Sequence, residues 1–336
     1  MRSFFSGKSI RLTILFLAGL LALGSTSLFA EPSGVLHVYT SQPRDQMEEV
    51  VKLFNVSYPA VKIELFRSGT TEVMNKLRAE FSAGAPRADV VLIADAVAAT
   101  QLKIEGRLYA YTDAPVKGIP RELVDPDRTF FGTKYITTGI VYNTKLAKKA
   151  PSSWFDLLEP EISKSTIMPS PLYSGAAAIH IGTIVQQPAF GWKYYETLAK
   201  QGAVAGQGNG TVIEAVARGE KAYGIIIEYM ALNAKAKGSP VEFVFPREGV
   251  SLITQPVAIL KTTKNLPAAK AFVDWQLSEA AQAQSVKQGY YPVFPNLTPP
   301  AGYPSLSTVK TLSADPALML KQDADNKKIF ANLFGG

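Results

Sequence analysis

The stretch LHVYTSQPRDQMEEVVKLFNVSYPAVKIELFRSGTT, residues 36–71, carries the repeating unit of the fold. Leu36, Val38 and Tyr39 belong to a short run of strand composition, which Thr40-Ser41-Gln42-Pro43 breaks. Met47, Val50, Val51 and Phe54 then recur at i, i+3, i+4 and i+7, one face of a helix. Pro43 suits the start of that helix, where its missing N–H has no helical acceptor to lose. Residues 61–66 read as a second strand, and Ser68-Gly69-Thr70-Thr71 opens a helix with Val73, Leu77 and Phe81 on one face. A third strand at 90–93 ends in Ala94-Asp95-Ala96 before a third helix. Strand, polar turn and helix, three times over, predict a parallel sheet with helices on its faces, an α/β fold.

The rhythm loosens over residues 109–128 and returns with a strand at 135–142. A second set follows: a strand at 165–168, the turn Ser170-Pro171-Leu172-Tyr173-Ser174-Gly175, and an apolar helix. Gln207-Gly208-Asn209-Gly210-Thr211 opens another helix, without a clear strand before it. Strands at 222–227, 241–245 and 257–260 come next, then helices rich in Ala, Gln and Lys. Two α/β layers in about 300 residues predict two domains. No long Pro/Gly/Ser linker separates them, so short strands are expected to join them.

The N-terminus predicts the compartment. Arg2, Lys8 and Arg11 precede the apolar run from Leu12 to Leu23, and small residues up to Ala30 offer a cleavage site before Glu31. That order is a secretory signal peptide, and the run is too short for a membrane span. The net charge of +7 falls to +4 without the three leader cations (7 − 3), and the basic residues are scattered among acids. Such a chain is not marked for nucleic acid, and its mild positive excess suits an anionic solute. The absence of cysteine excludes disulfides, thiolate metal ligands, a cysteine nucleophile and a cysteine-linked lipid anchor.

In open α/β sheets, ligands sit beyond the carboxyl ends of strands, where helix N-termini offer free N–H groups and a positive dipole. Several turns here carry hydroxyls and glycines in that place: Ser41; Ser68, Gly69, Thr70 and Thr71; Tyr173, Ser174 and Gly175; Asn209 with Gly210 and Thr211. Each turn alone is equally an ordinary helix cap. Four of them at matching strand ends point to a shared cleft. Asp95 and Glu228 follow strands directly, and either could face a ligand ammonium or a metal, or cap the next helix. Catalytic signals are weak. His37 alternates with apolar strand residues, His180 lies in an Ala/Ile helix, and neither occurs in a nucleophile-elbow or zinc-ligand spacing.

The ordered motifs LHVYTSQP, ADVVLIADA, ITTGIVYNT, PSSWFDLLEP, MPSPLYSGAA and GEKAYGIIIEYM resemble the periplasmic solute-binding proteins of ABC importers. AKAFVDWQLSEAAQ and GYYPV extend the likeness toward the C-terminus. The nearest branch contains ferric-ion, hexose-phosphate and 2-aminoethylphosphonate binders. The resemblance implies a type II binding-protein fold of two α/β lobes, with crossover strands at 137–142 and 254–260. The expected lobes are 31–138 plus 256–300, and 139–255 plus 301–336, after a signal peptide at 1–30. It also implies a periplasmic, monomeric receptor without cofactor or resident metal. Such a receptor holds a small anionic or zwitterionic solute between its lobes and delivers it to a permease in the inner membrane.

Within the branch, ferric binders use adjacent tyrosines where this chain has Glu228-Tyr229, which leaves one phenol there. Tyr194-Tyr195 and Tyr290-Tyr291 are adjacent pairs at other places. The hydroxyl-rich turns fit the phosphonate and phosphate binders better, and 2-aminoethylphosphonate is the favoured ligand type. On this reading the contacts come from Ser41, Ser68, Gly69, Thr70, Thr71, Tyr173, Ser174, Gly175, Asn209 and Tyr229. Thr138 in the first crossover and the acids Asp95 and Glu228 complete the set. A ferric-iron receptor is the alternative, and an exported phosphate-ester hydrolase a remote one.

Overall fold

The computed structural model describes Met1 and residues 31–335, and the expected export signal lies outside the described residues beyond Met1. The first three strand–helix units form where the apolar periodicity places them. They are β1 (Gly34–Thr40), α1 (Arg44–Ser57), β2 (Val61–Arg67), α2 (Thr70–Ser82), β3 (Val90–Leu92) and α3 (Ala96–Ile104). α1 buries Met47, Val50 and Phe54, the predicted stripe. After an irregular segment, the long strand β4 (Phe131–Asn143) leads to the short helix α4 (Pro160–Ser163). The second set is β5 (Thr166–Pro169), α5 (Gly175–Val185), α6 (Gly191–Lys200), β6 (Val204–Gly206), α7 (Asn209–Arg218), β7 (Tyr223–Ile227) and α8 (Glu228–Ala236). The chain closes with β8 (Val241–Val244), β9 (Ser251–Ile259), α9 (Leu266–Gln276), α10 (Glu279–Lys287), β10 (Tyr291–Pro292) and α11 (Pro316–Phe334).

The sheet is mixed, with main order β2-β1-β3-β9-β4-β7-β5-β6. β1 pairs in parallel with β2 and β3, and β5 in parallel with β6 and β7. Between these parallel sets run β9 and β4, antiparallel to each other and to their outer neighbours. Both crossovers are therefore longer than the motifs predict. β4 is buried along nearly its whole length, on both faces, which explains its near-continuous run of apolar and small residues.

Packing joins segments far apart in sequence. Phe54 meets Phe272 edge-on at 5.5 Å between ring centroids and Trp275 at 6.3 Å, so the chain after β9 returns to the core of the first strands. Phe330 of α11 packs with Tyr195 of α6 in the core of the second set. Several elements lie outside the periodicity reading, β6 and α11 among them. β6 is only three residues long and precedes the glycine-rich turn at 206–210, which therefore does follow a strand. The 19-residue helix α11 starts at Asp315-Pro316, where the Asp315 carboxylate accepts from the N–H groups of Ala317 and Leu318. Among the described residues no helix is long and apolar enough to cross a membrane.

The aromatic contact at Phe54 is the joint between the first strands and the returning chain. Phe54→Ala is expected to cost about 3–5 kcal/mol in urea unfolding. A loss below about 1 kcal/mol would mean that the returning segment holds without it.

Candidate functional site

The starts of α1, α2, α5 and α7 open onto one cleft of about 590 Å³. Local hydrogen bonding explains why each start stands where it does. At the end of β1, the Thr40 hydroxyl donates to Leu92 O (2.7 Å) and accepts from Gln42 N (3.1 Å), turning the chain out of the strand. The Ser41 hydroxyl accepts from Ala94 N at 2.9 Å. Ser174 caps α5 by accepting from Ala177 N (3.2 Å) and also receives the Asn209 amide (3.1 Å). Asn209 in turn accepts from Ile227 N at 3.2 Å, tying the start of α7 to the end of β7.

The two rims of the cleft touch. Thr71 N donates to Tyr173 O (3.3 Å), and the Thr71 hydroxyl donates to Pro171 O (3.0 Å). The Arg67 guanidinium donates to the Tyr173 hydroxyl (3.1 Å) and to the carbonyls of Ser41 (3.4 Å) and Gln42 (3.3 Å). Glycine permits this approach. A Cβ on Gly69 would stand 2.2 Å from Tyr173 O, and one on Gly175 would stand 2.8 Å from the Cβ atoms of Asp95 and Thr70.

Of the residues named from sequence, Ser41, Gly69, Thr70, Tyr173, Ser174, Gly175, Asn209 and Tyr229 line this cleft. The others stand elsewhere. Ser68 donates to Glu72 on the outer side of α2, and Thr71 is spent on the rim contact. Asp95 caps α3, accepting from Ala98 N at 3.0 Å, and is buried behind Gly175. Thr138 faces a separate cavity of about 10 Å³ with His180 and Tyr195. Glu228 is wholly buried; one oxygen accepts from Thr137 N at 2.6 Å and the other has no hydrogen-bond partner among the described residues. Burial pushes the Glu228 carboxyl up to about 8 and that of Asp95 up to about 7. Burial holds His180 down at about 3, as befits a core histidine hydrogen-bonded to Ser251.

Sequence reading missed Gln42, Arg67, Gln255 and Tyr290, which also line the cleft. Arg67 ends β2 immediately before a turn already singled out, so the strand-end position was the available signal. Tyr290 corrects the count of phenols: its ring lies 4.3 Å from that of Tyr229, so two phenols stand at this wall rather than one. The Tyr290 hydroxyl donates to Gln46 at 2.5 Å. Among the described residues there is no group of three or more His, Cys, Asp or Glu side chains able to hold a metal ion.

Residues 85–317 match the family described as bacterial extracellular solute-binding protein. A probable ABC transporter periplasmic-binding protein of Sinorhizobium fredii is 27% identical over 247 residues, covering 70% of this chain and 68% of that one. Among solved structures, the periplasmic binding protein AfuA of Actinobacillus pleuropneumoniae, with exogenous fructose-6-phosphate bound, matches with a TM-score of 0.82 at 25% identity. That match covers 90% of this chain and 99% of AfuA. The ferric binding protein of Campylobacter jejuni matches with a TM-score of 0.75 at 20% identity, covering 89% and 99%. These likenesses agree with the type II architecture of two parallel sets bridged by long strands.

Two outcomes follow from the geometry. Gly69→Ala sets a Cβ against Tyr173 O and is expected to destabilise the fold by about 1–3 kcal/mol in urea unfolding; no loss of stability would refute that contact. For Glu228, a carboxyl raised by burial contributes stability that is full below about 4.5 and lost as pH rises through about 8. Glu228→Gln keeps an acceptor for Thr137 N and is expected to raise the melting temperature at pH 8 by at least ~2 °C, with little change at pH 4.5.

Proposed function

The chain belongs to the bacterial extracellular solute-binding proteins, the substrate-binding components of ABC importers, and on that footing we propose that its cleft captures a small phosphate- or phosphonate-bearing solute. One observation carries this reading: helix starts at Gly69-Thr70, Ser174-Gly175 and Gly208-Asn209 converge on one cleft together with the Arg67 guanidinium. An oxyanion there would receive backbone N–H groups, hydroxyls and a fixed cation at once. No carboxylate forms a salt bridge with Arg67 among the described residues, which leaves its charge free for a ligand.

The cleft's size bears on the ligand. At about 590 Å³ it lies within the range of sites that enclose molecules larger than a two-carbon aminophosphonate. Tyr173, Tyr229 and Tyr290 give it broad faces suited to a ring. The volume therefore favours a ring-bearing phosphate ester, with 2-aminoethylphosphonate as the smaller candidate. We further propose that the two packed cores are lobes with the boundaries 31–138 plus 256–300 and 139–255 plus 301–336. The protein would act as a periplasmic monomer delivering its solute to a permease. A ferric cargo is less well supported. Burial raises the proton affinity of the Tyr229 phenol, and Arg67 would oppose a trivalent cation.

Calorimetry with fructose 6-phosphate and 2-aminoethylphosphonate tests the reading. At 100 times its dissociation constant, a true ligand stabilises the fold by about 2.7 kcal/mol, visible as a higher melting temperature. Arg67→Gln is expected to weaken the bound probe at least ~10-fold, about 1.4 kcal/mol. Binding of neither probe, or a tyrosinate–iron colour band on adding ferric iron, would sink the phosphate reading.

A further inference from the structure

Behind the cleft wall lies a lysine with no acidic partner among the described residues. Lys134 is 1% exposed. It sits in a bulge of β4, where the register runs from Gly132 opposite Pro256 to Tyr135 opposite Thr254, leaving one extra residue on β4. Bulges re-aim side chains, and this one turns Lys134 toward the cleft floor. Its Nζ donates to Gln42 Oε1 at 3.1 Å and stands 4.6 Å from the centroid of the Tyr290 ring. Gln42 and Tyr290 both line the cleft. Opposite the bulge, Gln255 also lines it; that side chain is 1% exposed, and neither atom of its amide has a hydrogen-bond partner among the described residues. At and beneath the floor, among the described residues, lie a buried cation without an acid and a buried amide without a partner.

Charged and titratable groups on the neighbouring elements leave Lys134 alone. Glu49 of α1 accepts from Gln284 and Gln288, the Tyr290 hydroxyl is donated to Gln46, and Glu228 of α8 faces Thr137. Arg67 of β2 and Arg44 of α1 add positive charge at the cleft lining, where Glu214 of α7 also stands as an acid. An unpaired buried cation is unfavourable for the fold, whereas an apolar side chain of the same length would not be. Its retention at the floor of an anion-favouring cleft calls for a partner that arrives from outside.

We propose that Lys134 is the buried counter-charge of the captured solute: a positioning residue, set behind Gln42 and Tyr290, that makes the cleft selective for ligands carrying an oxyanion. The Gln255 amide, donor and acceptor at once, reads a hydrogen-bonding group next to that oxyanion. This rests on the phosphate or phosphonate reading of the cleft. Burial alone holds Lys134 at about 7, far below the usual lysine range. An anion alongside raises its proton affinity, so above that pH binding draws one proton from solvent: the neutral amine becomes the ammonium paired with the ligand. The same depressed value makes the ligand-free protein gain stability as pH rises from about 7 toward the ordinary lysine range.

The test uses the exported chain without its leader, unaltered and as Lys134→Met. Both are titrated at pH 8 with fructose 6-phosphate and 2-aminoethylphosphonate in buffers of different ionisation enthalpy. The unaltered protein is expected to bind a probe with net proton uptake. Lys134→Met is expected to bind that probe at least ~10-fold more weakly and without the uptake, while its ligand-free melting temperature stays equal or rises. Equal affinity and equal uptake in both proteins would overturn the proposal and leave the functional reading standing. If the unaltered protein binds neither probe, the functional reading fails and this one with it. Should Lys134→Met fold poorly, NMR titration of lysine-labelled unaltered protein decides. One lysine titrating near neutrality, and shifting upward with the probe, supports the assignment; ordinary titration of every lysine refutes it.

Discussion

Strand β4 pairs with β9 along its first half and with β7 and β8 along its second, with Thr138 opposite both Ser251 and Ile227. That ladder is what both parallel sets hang on. Because β4 has strands on each edge and packing on each face, the polar groups it carries can be satisfied only from inside the protein. Thr133 donates to Gln255 O, Lys134 to Gln42 and the Thr137 N–H to Glu228, while the Thr137 and Thr138 hydroxyls have no partner among the described residues. The polar groups beneath the cleft therefore belong to a strand that cannot move without disturbing the ladder on both sides.

Above that floor, the rims approach through residues with little bulk. Tyr173 packs against Gly69 and close to Gly208, where a Cβ would stand 2.8 Å from its ring, while Arg67 reaches across to the Tyr173 hydroxyl. The cleft owes its character to many weak contributions, most of them of one sign. Helix starts, serine and threonine hydroxyls and the guanidinium each favour negative charge modestly. Enclosed together, away from bulk water, they act on the same small volume, and screening by solvent is reduced. Of the acids that could oppose them, Asp95 is turned to cap α3 and Glu228 is drawn under the wall by Thr137 N, whereas Glu214 stands exposed at the lining.

How much was legible in the sequence depended on how local the signal was. The stripe of Met47, Val50 and Phe54 and the turns after β1 and β2 could be read because each is complete within a few residues. β6 escaped because three residues are too few to show a period, and α11 escaped although Asp315-Pro316 is a good helix start. The choice between capping and ligand contact at Asp95 and Glu228 could not be made from spacing. It depended on which way each carboxyl turned once the second parallel set had closed over it. Tyr290 was read as belonging elsewhere because nothing in its neighbourhood marks it as the companion of Tyr229.

The sequence by itself determined the alternating α/β plan, the chemical kind of turn at each strand end and the resemblance that orders them. All of these are properties of short segments, where propensity and periodicity act without help from the rest of the chain. Only the tertiary structure decided which of those turns share a cleft, that Arg67 and Tyr290 belong to it, and that Lys134 lies beneath it without an acidic partner among the described residues. These are matters of burial and charge compensation between segments far apart in the chain. No local pattern encodes them, because a side chain's solvation depends on what folds over it.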